Sequence, residues 1–94
     1  MSANTTGASN TSLGFNSLAS NTTASNNTAI GASALVANTT GALNTAVGLE
    51  ALASGTTASN STAVGYNALG ATTTQGNLTA MGYSALGSNT TGDS

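Results

Sequence analysis

The chain lacks every basic side chain, since lysine, arginine and histidine are all absent, and it also lacks cysteine, proline and tryptophan. Without cations no side chain can neutralise nucleic-acid phosphates or anionic lipid headgroups, so nucleic-acid binding and electrostatic membrane binding are excluded. Without cysteine there is no disulfide framework. No apolar run approaches the roughly 20 residues of a membrane-spanning helix, so membrane insertion is not expected.

Charge of either sign is nearly missing, because Glu50 and Asp93 are the only charged residues and give a net charge of −2. Catalysis needs a proton-transfer group or an activated nucleophile. The two carboxylates occupy different repeat positions and different levels, so they do not form a dyad. A single aspartate cannot build a repetitive calcium site. We therefore predict a protein that is not an enzyme and that uses no cofactor and no metal.

A strict internal repeat replaces these missing features. The 94 residues suffice for one small domain, and one glycine recurs with a period of 17 residues, at Gly14, Gly31, Gly48, Gly65 and Gly82. Residues 1–9 form a half repeat, and residues 10–94 form five full repeats, 10–26, 27–43, 44–60, 61–77 and 78–94. Residues are referred to below by their position, 1 to 17, within this unit, which places the glycine at position 5.

Other positions hold one residue type or one chemical class. Position 2 is always threonine, position 8 is alanine or serine, and positions 13 and 14 are a threonine pair. Position 4 is apolar, with Leu13, Ile30, Val47, Val64 and Met81. Position 9 is always leucine, with Leu18, Leu35, Leu52, Leu69 and Leu86. This regular apolar pattern, together with the absence of proline and of charge, argues against intrinsic disorder.

The period itself limits the fold. Seventeen residues are too few for a helix–turn–helix repeat, and no heptad of large apolar residues predicts a coiled coil. Two short extended segments joined by turns fit the unit, which predicts an all-β fold, a parallel β-solenoid or β-roll in which like residues stack one strand spacing apart. We expect the glycine to turn the chain where a Cβ is excluded, and Asn21, Asn38 and Asn89 to stack in hydrogen-bonded turns.

Adjacent apolar residues predict an outward apolar rank. In the pairs Ala46-Val47 and Ala51-Leu52, one member of an extended pair points inward and the other outward. The residues at positions 4 and 9 are therefore interpreted as core or inter-subunit stacks. An exposed apolar stripe along the whole molecule favours association of several chains about a common axis.

The repeated pattern, quoted as NTAVGLEAL for residues 44–52 and followed elsewhere by NTTG, resembles repeats of phage and bacterial fibre proteins. It is also similar to the head repeats of trimeric autotransporter adhesins. That resemblance implies trimers of left-handed parallel β-rolls at a cell surface, outside the cell or on a virion. The anchor or C-terminal folding domain usual in such fibres is not recognised in this sequence, and the unit length is more uniform than in many adhesin heads.

Two further features bear on partners. Phe15, Leu49, Tyr66 and Tyr83 share the variable position 6, which we interpret as a surface or inter-subunit contact rather than a ligand site. Glycosylation sequons of the form Asn-Thr-Thr begin at Asn4, Asn21, Asn38 and Asn89, and others occur. Glycans attached at exposed turns are therefore possible partners.

Three functions are consistent with the sequence. The first is a structural, self-assembling subunit or shaft of a fibre, whose chains associate with themselves and also stack end to end, because no cap of charge, proline or amphipathic helix is visible. The second is ice binding by threonine ranks, which is disfavoured where two threonines are adjacent and face opposite ways. The third is a spacer segment of a longer tail fibre or adhesin.

Overall fold

The computed structural model describes residues 4–87 and shows one sheet of five short strands. The strands are β1 Thr11–Leu13, β2 Thr28–Ile30, β3 Thr45–Val47, β4 Thr62–Val64 and β5 Thr79–Met81. They lie in sequence order, and residues 4–87 contain no helix. The predicted all-β parallel β-solenoid is confirmed, whereas its trimeric association stays a prediction.

Each strand pairs in parallel with the equivalent strand one repeat later. Thr28 pairs with Thr45, Ala29 with Ala46 and Ile30 with Val47, and the other three pairings keep the same register. Because the pairs are 17 residues apart, every strand residue lies on its counterpart in the next coil. Threonine and branched aliphatic residues favour this extended conformation. The solenoid measures 30 × 22 × 15 Å along its principal axes.

A stack of glycines ends the strands. Gly31 has a φ of +125°, which an L-residue with a side chain rarely adopts. A Cβ on Gly31 would also lie 2.7 Å from the carbonyl carbon of Gly48 in the next coil. Two independent constraints, the backbone conformation and the close approach of coils, therefore select glycine at position 5.

The segment after the glycine is a series of turns, so the prediction of a second extended segment is wrong. In the first coil the amide of Ser17 donates to the carbonyl of Gly14 at 3.3 Å, and the amide of Asn21 donates to the carbonyl of Leu18 at 3.2 Å. Leu18 has a φ of 51° and Leu35 one of 52°. Left-handed leucine costs about 1–2 kcal/mol, which is offset by burial of its side chain.

The core is a stack of leucine and alanine side chains. Leu18, Leu35, Leu52 and Leu69 are fully buried, together with the alanines at positions 3 and 8 of the middle coils. Ala51 and Leu52 are therefore both inside, which contradicts the expectation that one of this pair points outward. The alternation of a strand does not apply, because the leucine is left-handed. Leu86, in the last described coil, is about half exposed.

Two ladders of asparagine cross the core. At position 12, Asn21 donates to the Oδ1 of Asn4 at 2.8 Å, as expected for stacked turn residues. At position 1, the Oδ1 of Asn27 accepts the backbone amide of Asn44 at 2.9 Å, and the Nδ2 of Asn27 donates to the carbonyl of Gly41 at 2.8 Å. These side chains satisfy backbone groups that no strand pairing reaches.

Candidate interaction surface

The outer face of the sheet carries the apolar residues of position 4. Side chains alternate along each strand, so Ala46 is buried while Val47 points outward. The rank is half-buried in the middle coils and strongly exposed at its ends, where Leu13 is 65% and Met81 70% exposed. The structure therefore places the position 4 residues on the surface and the position 9 leucines in the core, except for the half-exposed Leu86.

A second apolar rank lies just beyond the glycine turn, at position 6. Phe15 is 78%, Leu49 47%, Tyr66 40% and Tyr83 79% exposed. The rings of Tyr66 and Tyr83 stack at a centroid distance of 5.1 Å and an interplanar angle of 19°. The surface location expected for these four residues is what the structure shows.

Positions 4 and 6 together form one strip, called here the apolar strip, which consists of residues 13, 15, 30, 32, 47, 49, 64, 66, 81 and 83. The two positions are separated only by the glycine, so the strip runs along the side of the solenoid through every described coil. Glu50 is the only charged residue between residues 4 and 87, and it is exposed at position 7 beside the strip. Asp93 lies outside the described residues.

The strip is large for so small a protein. Phe15, Tyr66 and Tyr83, taken at their exposed fractions, leave on the order of 400 Å² in water, given about 150–250 Å² for a buried aromatic side chain. The aliphatic residues add to this area. The total exceeds the few hundred Å² that an isolated exposed patch usually covers, and it approaches the roughly 800 Å² that one partner contributes to a standard interface.

The threonines of positions 2, 13 and 14 fall into three groups, and Thr72, at position 12, is buried separately from them. Those at position 2 share the outer strand face with the apolar strip. At position 13 the hydroxyl bonds along the ladder, since Thr39 Oγ1 donates to the carbonyl of Thr56 at 3.1 Å. At position 14 the side chains of Thr23, Thr40, Thr57 and Thr74 are exposed. The hydroxyls of the threonine pair thus have different roles, because the first bonds to the neighbouring coil and the second faces solvent.

The position 1 asparagines, of which Asn27 and Asn44 are buried and Asn10 partly buried, are the polar residues that the sequence interpretation missed. Asn10, Asn27 and Asn44 open three consecutive repeats directly before the strand threonine, and this regularity is visible in the sequence. The same position is Ser61 and then Leu78 in the later coils. In each case the asparagine comes two residues before the small inward residue of position 3, and because side chains alternate along a strand this spacing could have identified it as inward.

All five position 5 glycines lie at positive φ, at the corner between the strand and the turn segment. Asn89 lies outside the described residues, so its stacking stays a prediction. Over residues 4–87 there is no helix of the length and apolarity needed to traverse a bilayer, and no cluster of three potential metal-ligating side chains. No concave pocket opens on the described surface.

Comparison of the chain with protein-family models, with curated proteins and with solved structures found no significant match. The functional interpretation therefore depends on the repeat geometry and on the apolar strip.

Proposed function

We propose that the chain is a structural protein, a self-assembling subunit or shaft segment of an extracellular, cell-surface or virion fibre, and that it has no enzymatic activity. The observation that supports this is the apolar strip, which repeats in register on every described coil and carries no charge. A stripe of this kind gains hydrophobic free energy only when another surface covers it.

The occupant proposed for the strip is a second and a third copy of the same chain. Identical copies have the same 17-residue repeat and therefore the same distance between coils. The rows of apolar side chains on one strip thus match the spacing of those on its partner over the whole length. The resemblance to trimeric fibre repeats supports three chains about one axis. End-to-end stacking of such trimers would extend the rod, and the segment would then serve either as a fibre subunit or as a spacer within a longer fibre.

Sedimentation equilibrium and native mass spectrometry of the purified chain test this proposal. We expect a trimer, and rods of uniform width in negative-stain images. Replacing Ile30 and Val64 with lysine places charges in the middle of the strip and should shift the mass to that of a monomer. A stable, dispersed wild-type monomer at micromolar concentration would contradict the proposal.

A matched variant separates disruption of the interface from a general effect of charge. Thr40→Lys and Thr57→Lys add two lysines at exposed position 14, away from the strip. These substitutions should leave the trimer intact. Dissociation by both lysine pairs would show that added charge, rather than loss of the apolar strip, causes the change.

Ice binding is the second candidate, and the structure supplies one observation in its favour. Thr45 and Val47 lie two residues apart on the same outward face, and the equivalent pairs repeat in register, so hydroxyl and methyl groups form two parallel ranks. The long side chains of Leu13 and Met81 interrupt the evenness of the second rank, which favours the fibre. Thermal hysteresis would support ice binding, and its absence in a chain that forms trimers would exclude it.

A further inference from the structure

The structure divides the glycosylation sequons into two groups. Seven asparagines within residues 4–87 have a hydroxyl residue two positions later, with no proline between: Asn4, Asn10, Asn21, Asn26, Asn38, Asn60 and Asn77. A sugar joined to asparagine is attached at Nδ2, so the surroundings of that atom decide which of the seven can be modified in the folded protein.

In four of the seven the Nδ2 is already committed. Asn21 Nδ2 donates to Asn4 Oδ1 at 2.8 Å, and Asn38 Nδ2 donates to Asn21 Oδ1 at 3.0 Å. Asn4 Nδ2 donates to the carbonyl of Gly7 at 3.0 Å, and Asn10 Nδ2 donates to that of Ala24 at 2.8 Å. Asn21 and Asn38 are also fully buried. Asn21 and Asn38 each donate a second bond from the same Nδ2, to a backbone carbonyl of their own turn. A sugar replaces one of the two Nδ2 hydrogens, so on either of these buried residues it would break a hydrogen bond that holds the turns and coils together.

The other three sequon asparagines, Asn26, Asn60 and Asn77, share position 17, and their side chains differ from those of the first four in exposure and in hydrogen bonding. Their side chains are exposed and make no hydrogen bond within residues 4–87. In each sequon the middle residue points into the core, which leaves the asparagine and the position 2 threonine on the outside. The φ of Asn26 is 63°, so the amide stands at a corner where the chain turns into β2.

We propose that position 17 is an N-glycan acceptor edge, with Asn26, Asn60 and Asn77 as the acceptors. The co-substrate is an activated glycosyl donor, a sugar joined through C1 to a nucleoside diphosphate or a lipid pyrophosphate. In the reaction Nδ2 forms a bond to C1 and the C1–O bond breaks, and the nucleoside diphosphate or lipid pyrophosphate leaves with the electron pair of that bond. The amide loses one proton, which passes to a base of the transferase.

Spacing along the solenoid limits how many sugars the edge can carry. Asn60 and Asn77 occupy neighbouring coils, and their 17-residue separation corresponds to about 4.8 Å between stacked positions. Asn26 lies two coils from Asn60, at about twice that distance. A pyranose ring fills more than one coil spacing, so one sugar at Asn60 or Asn77 hinders a second at the other. The folded chain therefore accepts two sugars at most along this edge.

The acceptor edge and the apolar strip lie at opposite ends of the strands. Position 17 precedes the strand, whereas positions 4 and 6 flank the glycine that ends it. Asn26, Asn60 and Asn77 therefore lie outside the strip, although the position 2 threonine of each sequon shares the outer strand face with it.

Incubation of the folded chain with a soluble N-glycosyltransferase and UDP-glucose tests the proposal, with intact mass and peptide mapping as readouts. We expect hexose at Asn26 and at one of Asn60 and Asn77, and none at Asn21 or Asn38. A synthetic peptide of residues 24–30 serves as the positive control, because it presents the Asn26 sequon without the fold. If the peptide is modified and the folded chain is not, or if Asn21 or Asn38 of the folded chain carries hexose, the proposal is overturned.

Paired variants test the role of the outward hydroxyl of Thr28. Thr28→Ala should abolish hexose at Asn26, and Thr28→Ser should retain it. Thr23→Ala, which removes the hydroxyl of the buried Asn21 sequon, should change nothing. Loss of Asn26 modification in both Thr28 variants would show that the serine does not substitute for the threonine at this corner and would count against sequon recognition there.

Discussion

Asn38 donates a hydrogen bond from its Nδ2 to the Oδ1 of Asn21 at 3.0 Å, across one complete coil of the solenoid. The same Nδ2 donates to the carbonyl of Gly41 at 3.0 Å, within its own coil. One amide thereby fixes both the local turn and the register between coils. The ladder stops here, because the next residue at position 12 is Gly55 and the buried Oδ1 of Asn38 has no partner within the described residues.

Completing the ladder should stabilise the solenoid. In Gly55→Asn the new Nδ2 can donate to Asn38 Oδ1, as Asn38 Nδ2 does to Asn21 Oδ1. The Leu52 side chain must then adopt another rotamer, because its Cδ2 atom lies where the new Cβ would be. Leu18 and Leu35 already coexist with asparagine at this position. We expect a gain of about 1 kcal/mol in unfolding free energy in urea. Gly55→Ala is the control, since it displaces Leu52 without adding an amide, and equal stability of the two variants would refute the ladder argument.

Loss of a position 1 asparagine should be costly. Asn44 Oδ1 accepts the amide of Ser61 at 3.0 Å, and Asn44 Nδ2 donates to the carbonyl of Ala58 at 2.7 Å. Asn44→Ala leaves both backbone groups unsatisfied, so we expect a loss of about 2–6 kcal/mol in urea unfolding, at roughly 1–3 kcal/mol for each group. Thr57→Ala, at an exposed position of the same coil, should cost less than about 0.5 kcal/mol. A small effect of Asn44→Ala would mean that water replaces the amide.

Truncation of a buried leucine should lower the unfolding free energy far more than truncation of an exposed one. Leu52 is fully buried, so Leu52→Ala should lower the unfolding free energy by about 2–5 kcal/mol through lost burial and a residual cavity. Leu43→Ala removes the same atoms from a side chain that is 58% exposed at position 17. That variant should stay within about 0.5 kcal/mol of wild type. Both should be measured at one protein concentration, because association contributes to apparent stability.

Two glycine variants should distinguish backbone strain from close packing. Gly82 has a φ of +120°, but a Cβ added to it would meet no heavy atom within 4 Å apart from those of its chain neighbours, so Gly82→Ala carries only the conformational cost, about 1–3 kcal/mol. Gly48 has a φ of +129°, and its Cβ would lie 2.7 Å from the carbonyl oxygen of Gly65. Gly48→Ala should therefore lower the thermal midpoint further than Gly82→Ala does. Equal shifts would indicate that φ alone selects the glycine.

The sequence by itself determined the architecture. A 17-residue period without insertions allows like residues to stack only if each repeat is one coil, and this set the strand at Thr45–Val47 and the glycine corner at Gly48. It also required one member of the Ala46-Val47 pair to face outward, but it did not indicate which one. The sequence also marked position 6 as a surface position, because residues as different in size as Ala32 and Tyr66 cannot share a closely packed stack.

Only the tertiary structure decided the direction of the remaining side chains. Leucine rarely adopts positive φ, so nothing in the Ala51-Leu52 pair indicated that both would be buried. The roles of the asparagines also depend on stacking, because Asn38 can bond to Asn21 only when the coils bring residues 17 apart into contact, while Asn26, five residues from Asn21, remains free at a corner. Asparagines thus have different structural roles according to whether the fold turns their side chains into the core or toward solvent.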